Sequence, residues 1–291
     1  MNHKAGFVNI IGNPNVGKST LMNRLVGERL SIITSKAQTT RHRILGIVND
    51  EHYQVVFSDT PGVLVPHYKL HENMMAFVNS ALQDADVILF VTDIYESTIN
   101  HPDVLARLQT TSKPILLLLN KIDQGDQKKV EDKANYWHEQ LPKAEILPIS
   151  ALEGFNLEPI WKRVVELIPE NPPYYDKEEL TDKPLRFFIS EMIREKIFEN
   201  YSKEIPYSTQ VEIETYEEGA KIDRIRALIY VERSTQKGII IGHKGEKLKK
   251  VGIESRKEIE KFLGKQIHLE MFVKVDENWR QNDKKLKNYG Y

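Results

Sequence analysis

The chain has 291 residues, 40% of them hydrophobic and 29% charged, which is ordinary globular composition and enough length for two domains. It contains no cysteine, so a disulfide framework, a thiolate zinc site and a cysteine nucleophile are excluded. The net charge of -1 hides an asymmetry, because residues 233–291 carry 15 Lys and Arg against 8 Asp and Glu on an otherwise acidic body. A basic end points to nucleic acid or an anionic membrane surface, against the plain alternative of a solvated face. The opening Met1-Asn2-His3-Lys4 leads straight into an apolar run, too short for a signal peptide, and no segment approaches the length of a membrane span. The expectation is a soluble cytoplasmic protein.

Ala5 to Ile11 reads as a first strand. Gly12-Asn13-Pro14-Asn15-Val16-Gly17-Lys18-Ser19 follows and fits G-x-x-x-x-G-K-[ST], with Thr20 opening a stretch of helical spacing that ends near Gly27. Only about 0.01 such matches are expected by chance in a chain of this length at ordinary residue frequencies. Strand, glycine-rich loop and helix together form a polyphosphate cradle, because backbone N–H groups and a helix N-terminus face one point. Lys18 would reach the β- and γ-phosphates and the Ser19 hydroxyl would ligate magnesium. Ser31 to His42 is polar and Thr-rich, a loop. Ile44 to Val48 and Tyr53 to Phe57 read as a hairpin. Leu70 to Leu82 looks helical. Val87 to Val91 and Ile115 to Leu119 are continuous apolar runs, as parallel strands buried on both faces require. Helices are expected at Asp103 to Leu108, Lys128 to Gln140 and Leu157 to Leu167, and a last strand at Ala144 to Ile149. This alternation predicts an α/β fold, a doubly wound, mostly parallel sheet flanked by helices over residues 1–168.

Two further motifs sit at strand ends. Asp59-Thr60-Pro61-Gly62 follows the second hairpin strand; its carboxylate suits a magnesium shell and the Gly62 N–H can approach a γ-phosphate. The bland alternative is an Asp-Gly turn. Asn120-Lys121-Ile122-Asp123 follows the run Ile115 to Leu119. An aspartate there can accept two parallel hydrogen bonds from the N1–H and 2-amino group of guanine, which adenine cannot offer; the alternative is a simple helix cap. Ser150-Ala151-Leu152 would close over the base.

P-loop, Thr-rich loop, D-T-P-G, N-K-I-D and S-A-L, in this order, resemble the translation-factor class of GTPases over residues 5 to 168. The resemblance implies GTP binding, magnesium-dependent hydrolysis to GDP, and two switch loops, Ser31 to His42 and Gly62 to His71. On this reading Lys18, Thr40, Asp59 and Gly62 are the catalytic set. The nucleotide is held by residues 12 to 20, by Asp59, Thr60, Pro61, Gly62 and Val63, by Asn120, Lys121, Ile122 and Asp123, and by Ser150 and Ala151. Ser19 and Thr40 ligate magnesium, with Thr39 the rival of Thr40 and Asp59 acting through water. Val63 departs from the Ras-like pattern, in which a glutamine orients the attacking water. Asn15 resembles the potassium-binding asparagine of one GTPase branch, which would supply a monovalent cation beside the phosphates. Arg41 and Arg43 flank a switch, where contact with RNA or a partner competes with a solvated loop.

Pro169 to Pro184 reads as a linker. Beyond it the order is helix (Leu185 to Tyr201), strand (Gln210 to Tyr216), strand (Ile225 to Val231), a short Gly238 to Gly242 segment, helix to Phe262, and strand (Ile267 to Val275), with a basic tail over residues 276–291. Gly242-His243-Lys244-Gly245 is a G-x-x-G, a pattern expected about 0.8 times by chance with 15 glycines. Its setting carries the weight: Ile239, Ile240 and Ile241 precede it and could floor a groove for unstacked bases, and Lys247, Lys249 and Lys250 follow. The α-β-β-α-α-β order resembles a type II KH domain, an α+β fold that clamps nucleic-acid backbone with such a loop. Trp279 and Arg280 could stack on or pair with RNA, against packing on the last strand.

The combination resembles the Era family of GTPases over nearly the whole chain. That implies a partner in 16S rRNA, at its 3′ end, and in assembly of the 30S ribosomal subunit, peripheral association with the inner membrane, and a monomer. The alternative from another class is a nucleotide-gated protein of the anionic membrane surface. A tRNA-modifying relative would carry a C-terminal cysteine and a tandem GTPase a second P-loop; neither is present.

Overall fold

Seven successive residues of Val87–Asp93 and all six of Ile115–Asn120 are buried, so these two strands form the middle of a layer covered on both faces. The structure is a computed structural model and describes residues 3–291; Met1 and Asn2, on which the reading of the N-terminus began, lie outside the described residues. The chain divides into two compact units, one running to Asp182 and the other from Lys183 to Tyr291 with Tyr68–Leu70.

The first unit contains β1 (Lys4–Ile11), α1 (Lys18–Val26), β2 (Ile44–Asn49), β3 (Tyr53–Asp59), α2 (Lys69–Asp84), β4 (Val87–Asp93), α3 (Pro102–Thr110), β5 (Ile115–Asn120), α4 (Gln127–Gln140), β6 (Glu145–Pro148) and α5 (Leu157–Leu167). The sheet order is β2-β3-β1-β4-β5-β6. Only β2 runs antiparallel, paired with β3 as Ile44↔Asp59 through Asn49↔Gln54. The connection leaves β1 toward β2 and β3 on one side, and continues to β4 on the other. The carboxyl end of β1 is therefore the point where the order reverses, which is where an open α/β sheet offers a crevice.

Much of the stretch read as a linker is strapped to this unit. Ala5 N donates to Pro169 O at 3.1 Å and Asn171 N to His3 O at 3.1 Å. Buried Gln54 accepts from the N–H groups of Tyr174 and Tyr175 at 2.7 and 3.0 Å, and the Phe7 and Tyr174 rings lie 4.8 Å apart. Ile47 N reaches Leu180 O at 2.9 Å and Leu45 N reaches Asp182 Oδ1 at 3.0 Å. Strand β2 is the sheet's edge, and the strap satisfies donors that would otherwise face solvent or another chain.

The second unit contains α6 (Leu185–Asn200), β7 (Gln210–Glu217), β8 (Ile222–Val231), α7 (Ser234–Ile241), α8 (Glu246–Leu263), β9 (Gln266–Val275) and α9 (Asp283–Asn288). Its sheet is ordered β7-β8-β9, with β7–β8 antiparallel and β8–β9 parallel. Helices α6, α7 and α8 cover one face around Ile193, Ile197, Ile229, Ile240, Val251 and Ile259. The expected basic tail over residues 276–291 is corrected by this structure. Trp279 is completely buried, donates from Nε1 to Ser208 O at 3.0 Å and meets the Tyr289 ring edge-on at 5.6 Å. A tryptophan sealed in this way cannot stack on RNA. Arg280 is equally committed, bonded through Nε to Glu232 at 2.9 Å.

Candidate nucleotide site and nucleic-acid groove

Three glycines shape the P-loop, two within it and one pressed against it. Gly17 has φ 100°, and a Cβ there would lie 2.2 Å from Asn120 Nδ2; a Cβ on Gly12 would lie 2.0 Å from Val91 O. Gly62 approaches from the end of β3, where a Cβ would meet the Pro14 backbone at 2.7 Å. The loop therefore exists only with bare backbone at these points. Lys18 is folded into it, donating to Gly12 O at 3.0 Å and Asn13 O at 2.7 Å. Burial lowers its ammonium to a pKa of about 8, against the upward pull of Asp59 and Glu96.

Three oxygens converge beside Lys18. Ser19 Oγ donates to Asp59 Oδ2 at 2.7 Å and lies 2.9 Å from Thr40 Oγ1. Thr39 is turned away, its hydroxyl donating to Lys36 O at 2.7 Å, so the geometry separates the two threonines in favour of Thr40. Asp59 is fully buried, and its Oδ1 has no hydrogen-bond partner. Burial raises its carboxyl pKa, while Lys18 and Ser19 pull it down. An oxygen-only donor set with an orphaned buried carboxylate oxygen fits a hard divalent cation such as magnesium.

The loop after β5 is braced from both sides. Asn120 donates from Nδ2 to Val16 O at 2.7 Å and accepts from Ala151 N at 2.9 Å. Lys121, at φ 61°, reaches back to Asp93 Oδ2 at 2.6 Å. Asp123 is left exposed on the cavity wall. That cavity is lined by Asn15, Gly17, Lys18, Ser19 and Thr20 of the P-loop, by Thr39 and Thr40, by Gly62, and by Asn120, Lys121, Asp123 and Ala151. Pro14 also lines it.

Other residues expected at the nucleotide stand behind this wall. Thr60 gives its hydroxyl to Ile10 O at 2.7 Å, Asn13 gives its amide to Thr98 O at 2.9 Å, and Val16 is fully buried. Gly12, Pro61, Ile122 and Ser150 do not line the cavity. Val63 packs in the apolar core, so no side chain at this position faces the phosphates. Asn15 lies exposed at the mouth, tied from Nδ2 to Ser35 O at 3.1 Å. The wall also includes Ile32, Ile33, Thr34, Lys36 and Gln38 of the expected switch loop and Leu152 of the expected base-closing loop, together with Gln124, which was not singled out from sequence. The expectation of a solvated loop around Arg41 and Arg43 is corrected. Arg41 is fully buried, and Arg43 is spread over Ser58 Oγ at 2.7 Å, Asp84 at 2.5 Å and Asn9 at 3.3 Å.

In the second unit Gly242 and Gly245 take φ 74° and 80° around Lys244 at φ 48°. The expectation for the three isoleucines is corrected here. α7 is a helix, so Ile240 faces inward and is fully buried while Ile239 is exposed; Ile241 is partly buried and packs against the core. The groove beside the loop is lined instead by Gly245, Leu248, Lys249, Gly252, Ile253 and Arg256 of α8 and by Leu269 and Met271 of β9. Their spacing on α8 follows helical periodicity from Gly245, a signal available in the sequence.

Against known families, residues 7–121 match "50S ribosome-binding GTPase" and residues 204–280 match "KH domain". The chain is 43% identical to GTPase Era of Geotalea uraniireducens, covering 99% of this chain and 98% of that one. It is 41% identical to GTPase Era of Alkaliphilus metalliredigens over 100% of both. It is 42% identical to the chloroplastic GTPase ERA1 of Zea mays, over 100% of this chain and 71% of that protein. Among solved structures, Era in complex with MgGDPNP and nucleotides 1506–1542 of 16S ribosomal RNA superposes with a TM-score of 0.93 at 38% identity, over 99% of both chains. A point variant of Aquifex aeolicus Era bound to GDP and AlF4- gives 0.92 at 39% identity, again over 99% of both chains. Fold and site thus define a P-loop GTPase followed by a KH domain, binding GTP and GDP with magnesium and hydrolysing GTP to GDP. The chain belongs to the Era family of GTPases.

One titrating group beside the site is testable through stability. Burial lifts the Glu96 carboxyl to a pKa of about 7; Asp93 adds to the rise, and Asn13, Thr92 and Lys18 oppose it. The folded state holds this proton more tightly than the unfolded chain, so stability is lost as pH rises from the ordinary carboxylate range through about 7. Glu96→Gln should shrink the difference between urea midpoints at pH 5 and pH 8. An unchanged difference would show that Glu96 is not its source.

Proposed function

We propose that GTP lies with its phosphates on the backbone of residues 12 to 17, its magnesium on Ser19 and Thr40 with Asp59 behind, and its guanine against Asp123. Bound magnesium neutralises phosphate charge; this chain's residues bind and orient. Lys18, released from the carbonyls of Gly12 and Asn13, turns its ammonium onto the β- and γ-phosphates, and the Gly62 N–H senses the γ-phosphate. The convergence of Ser19, Thr40 and Asp59 carries this reading. Asp123→Asn should move preference from guanine to xanthine nucleotides, because the exchanged amide donates where the carboxylate accepted. Competition binding with GTP and XTP measures it, and unaltered preference counts against the base assignment.

With a valine whose side chain points into the core after Gly62, electrostatics must replace a water-orienting glutamine. We assign this to a potassium ion near Asn15, at the cavity mouth. Turnover should be several-fold faster in potassium than in sodium chloride at equal ionic strength; equal rates remove the ion from the mechanism.

The second unit, on this reading, binds single-stranded RNA of the 3′ end of 16S rRNA and so acts in assembly of the 30S subunit, in the cytoplasm. Support comes from the open groove of α8 and β9, the left-handed backbone at Gly242 to Gly245, and the near full-length likeness to an Era solved with that RNA. The membrane-surface alternative loses ground. Lys265 pairs with Asp223, Arg280 with Glu232 and Lys285 with Asp276, so the basic surplus is partly spent internally; no described helix is long and apolar enough to cross a membrane. Reversing charge with Lys244→Asp and Lys249→Asp should weaken binding to an oligonucleotide of the 16S 3′ end at least tenfold, leaving basal GTP turnover unchanged. Retained affinity in a gel shift at fixed salt would reject the groove as the RNA site.

A further inference from the structure

The segment from Asp93 to Asn100 lies outside every motif assigned to the nucleotide, yet it grips three of them. At its start Asp93 Oδ2 accepts from Lys121 Nζ at 2.6 Å, while its Oδ1 accepts the N–H groups of Tyr95 and Glu96 at 2.9 and 3.0 Å. The Tyr95 hydroxyl donates to Gln124 O at 2.9 Å, and Lys129 sits 3.7 Å over its ring. The base-reading loop is thus fastened twice.

At its far end the segment holds the P-loop. Asn13 is buried, with its side chain turned away from the cavity, donating to Thr98 O at 2.9 Å and accepting from Asn100 N at 2.9 Å. Asn100 then extends its own amide to Val63 O at 3.3 Å. The other side of Val63 is fixed from N to Gly12 O at 3.0 Å. Gly62 is the adjoining residue, with no room for a Cβ against Pro14. Two hydrogen bonds on Val63, one from each side, therefore set where the Gly62 N–H lies relative to the P-loop.

We propose that Asn100 is a positioning residue for γ-phosphate recognition, holding Gly62 through the Val63 carbonyl, and that Tyr95 performs the matching service for the base. The two ends of one loop act on different parts of the nucleotide. Loss at the Asn100 end is felt only by a ligand that carries a γ-phosphate; loss at the Tyr95 end is felt by GDP and GTP alike. The proposal rests on the assignment of Gly62 as γ-phosphate sensor.

The test uses the full chain and fluorescent GDP and a non-hydrolysable GTP analogue. Asn100→Ala and Asn100→Asp should weaken the analogue about fivefold, the worth of one hydrogen bond, leave GDP affinity intact, and lower kcat. Tyr95→Phe should weaken both ligands to the same degree. Gly62→Ala is the reference: its Cβ presses on Pro14 of the P-loop, so it should weaken both ligands, and the analogue several-fold more than GDP. If Gly62→Ala discriminates while Asn100→Ala alters both ligands equally or neither, the positioning role is overturned. A Gly62→Ala variant that fails to discriminate overturns the sensor assignment, and the proposal with it.

Discussion

Asp59 is a carboxylate at 0% exposure with one oxygen unpartnered, and the rest of the first unit is arranged around that cost. Withdrawing an ion from water costs several kcal/mol per charge, and a lone lysine cannot satisfy both carboxylate oxygens. Lys18 is itself buried and shares its donors with Gly12 and Asn13. The pair is left under-satisfied, with Asp59 Oδ1 lacking a partner and the lysine turned onto backbone carbonyls. The site is built to be incomplete alone.

The sheet topology explains why these charges meet at all. Strands β1 and β3 are parallel neighbours, Ile10↔Asp59 in register, so the loop after Ile11 and the carboxylate of Asp59 emerge side by side. Strand β4 ends at Asp93 opposite Asn120 of β5, which brings the loop after β5 to the same rim. Each motif is local, but their assembly is a consequence of strand order. The buried apolar runs of β4 and β5 enforce that order from both faces.

Much of this was legible from sequence, for physical reasons that differ by residue. Gly12, Gly17, Lys18 and Ser19 could be read because a phosphate cradle needs backbone without Cβ atoms at fixed spacing, and spacing survives in one dimension. Thr39 against Thr40 could not, since adjacent hydroxyls differ only in where the loop turns them. Two of the three helices covering the second sheet, α6 and α8, were read from sequence, but three successive isoleucines carry no phase, so α7 was missed and the inward Ile240 was indistinguishable from the outward Ile239. Charge counting marked the basic end but not which of its charges are paired, because a lysine or arginine in a row of letters does not reveal its partner. Arg280 and Lys285 are spent on Glu232 and Asp276. The strap over β2 was invisible because prolines and charges look the same whether a segment is free or hydrogen-bonded to a sheet edge.

Val63 shows how a departure from pattern can be resolved by packing. A valine in place of a glutamine suggests a missing catalytic group, but here the side chain is fully buried among Ile11, Met75, Val78 and Phe90. It anchors the segment that follows Gly62 to the core. What faces the nucleotide is main chain, and main chain held by hydrogen bonds on both sides cannot reorganise freely around a ligand. Preorganised N–H groups stabilise developing charge without paying for their own alignment. An apolar side chain at this position anchors the backbone in the core and leaves main chain, not a side-chain amide, at the Gly62 edge of the cavity wall.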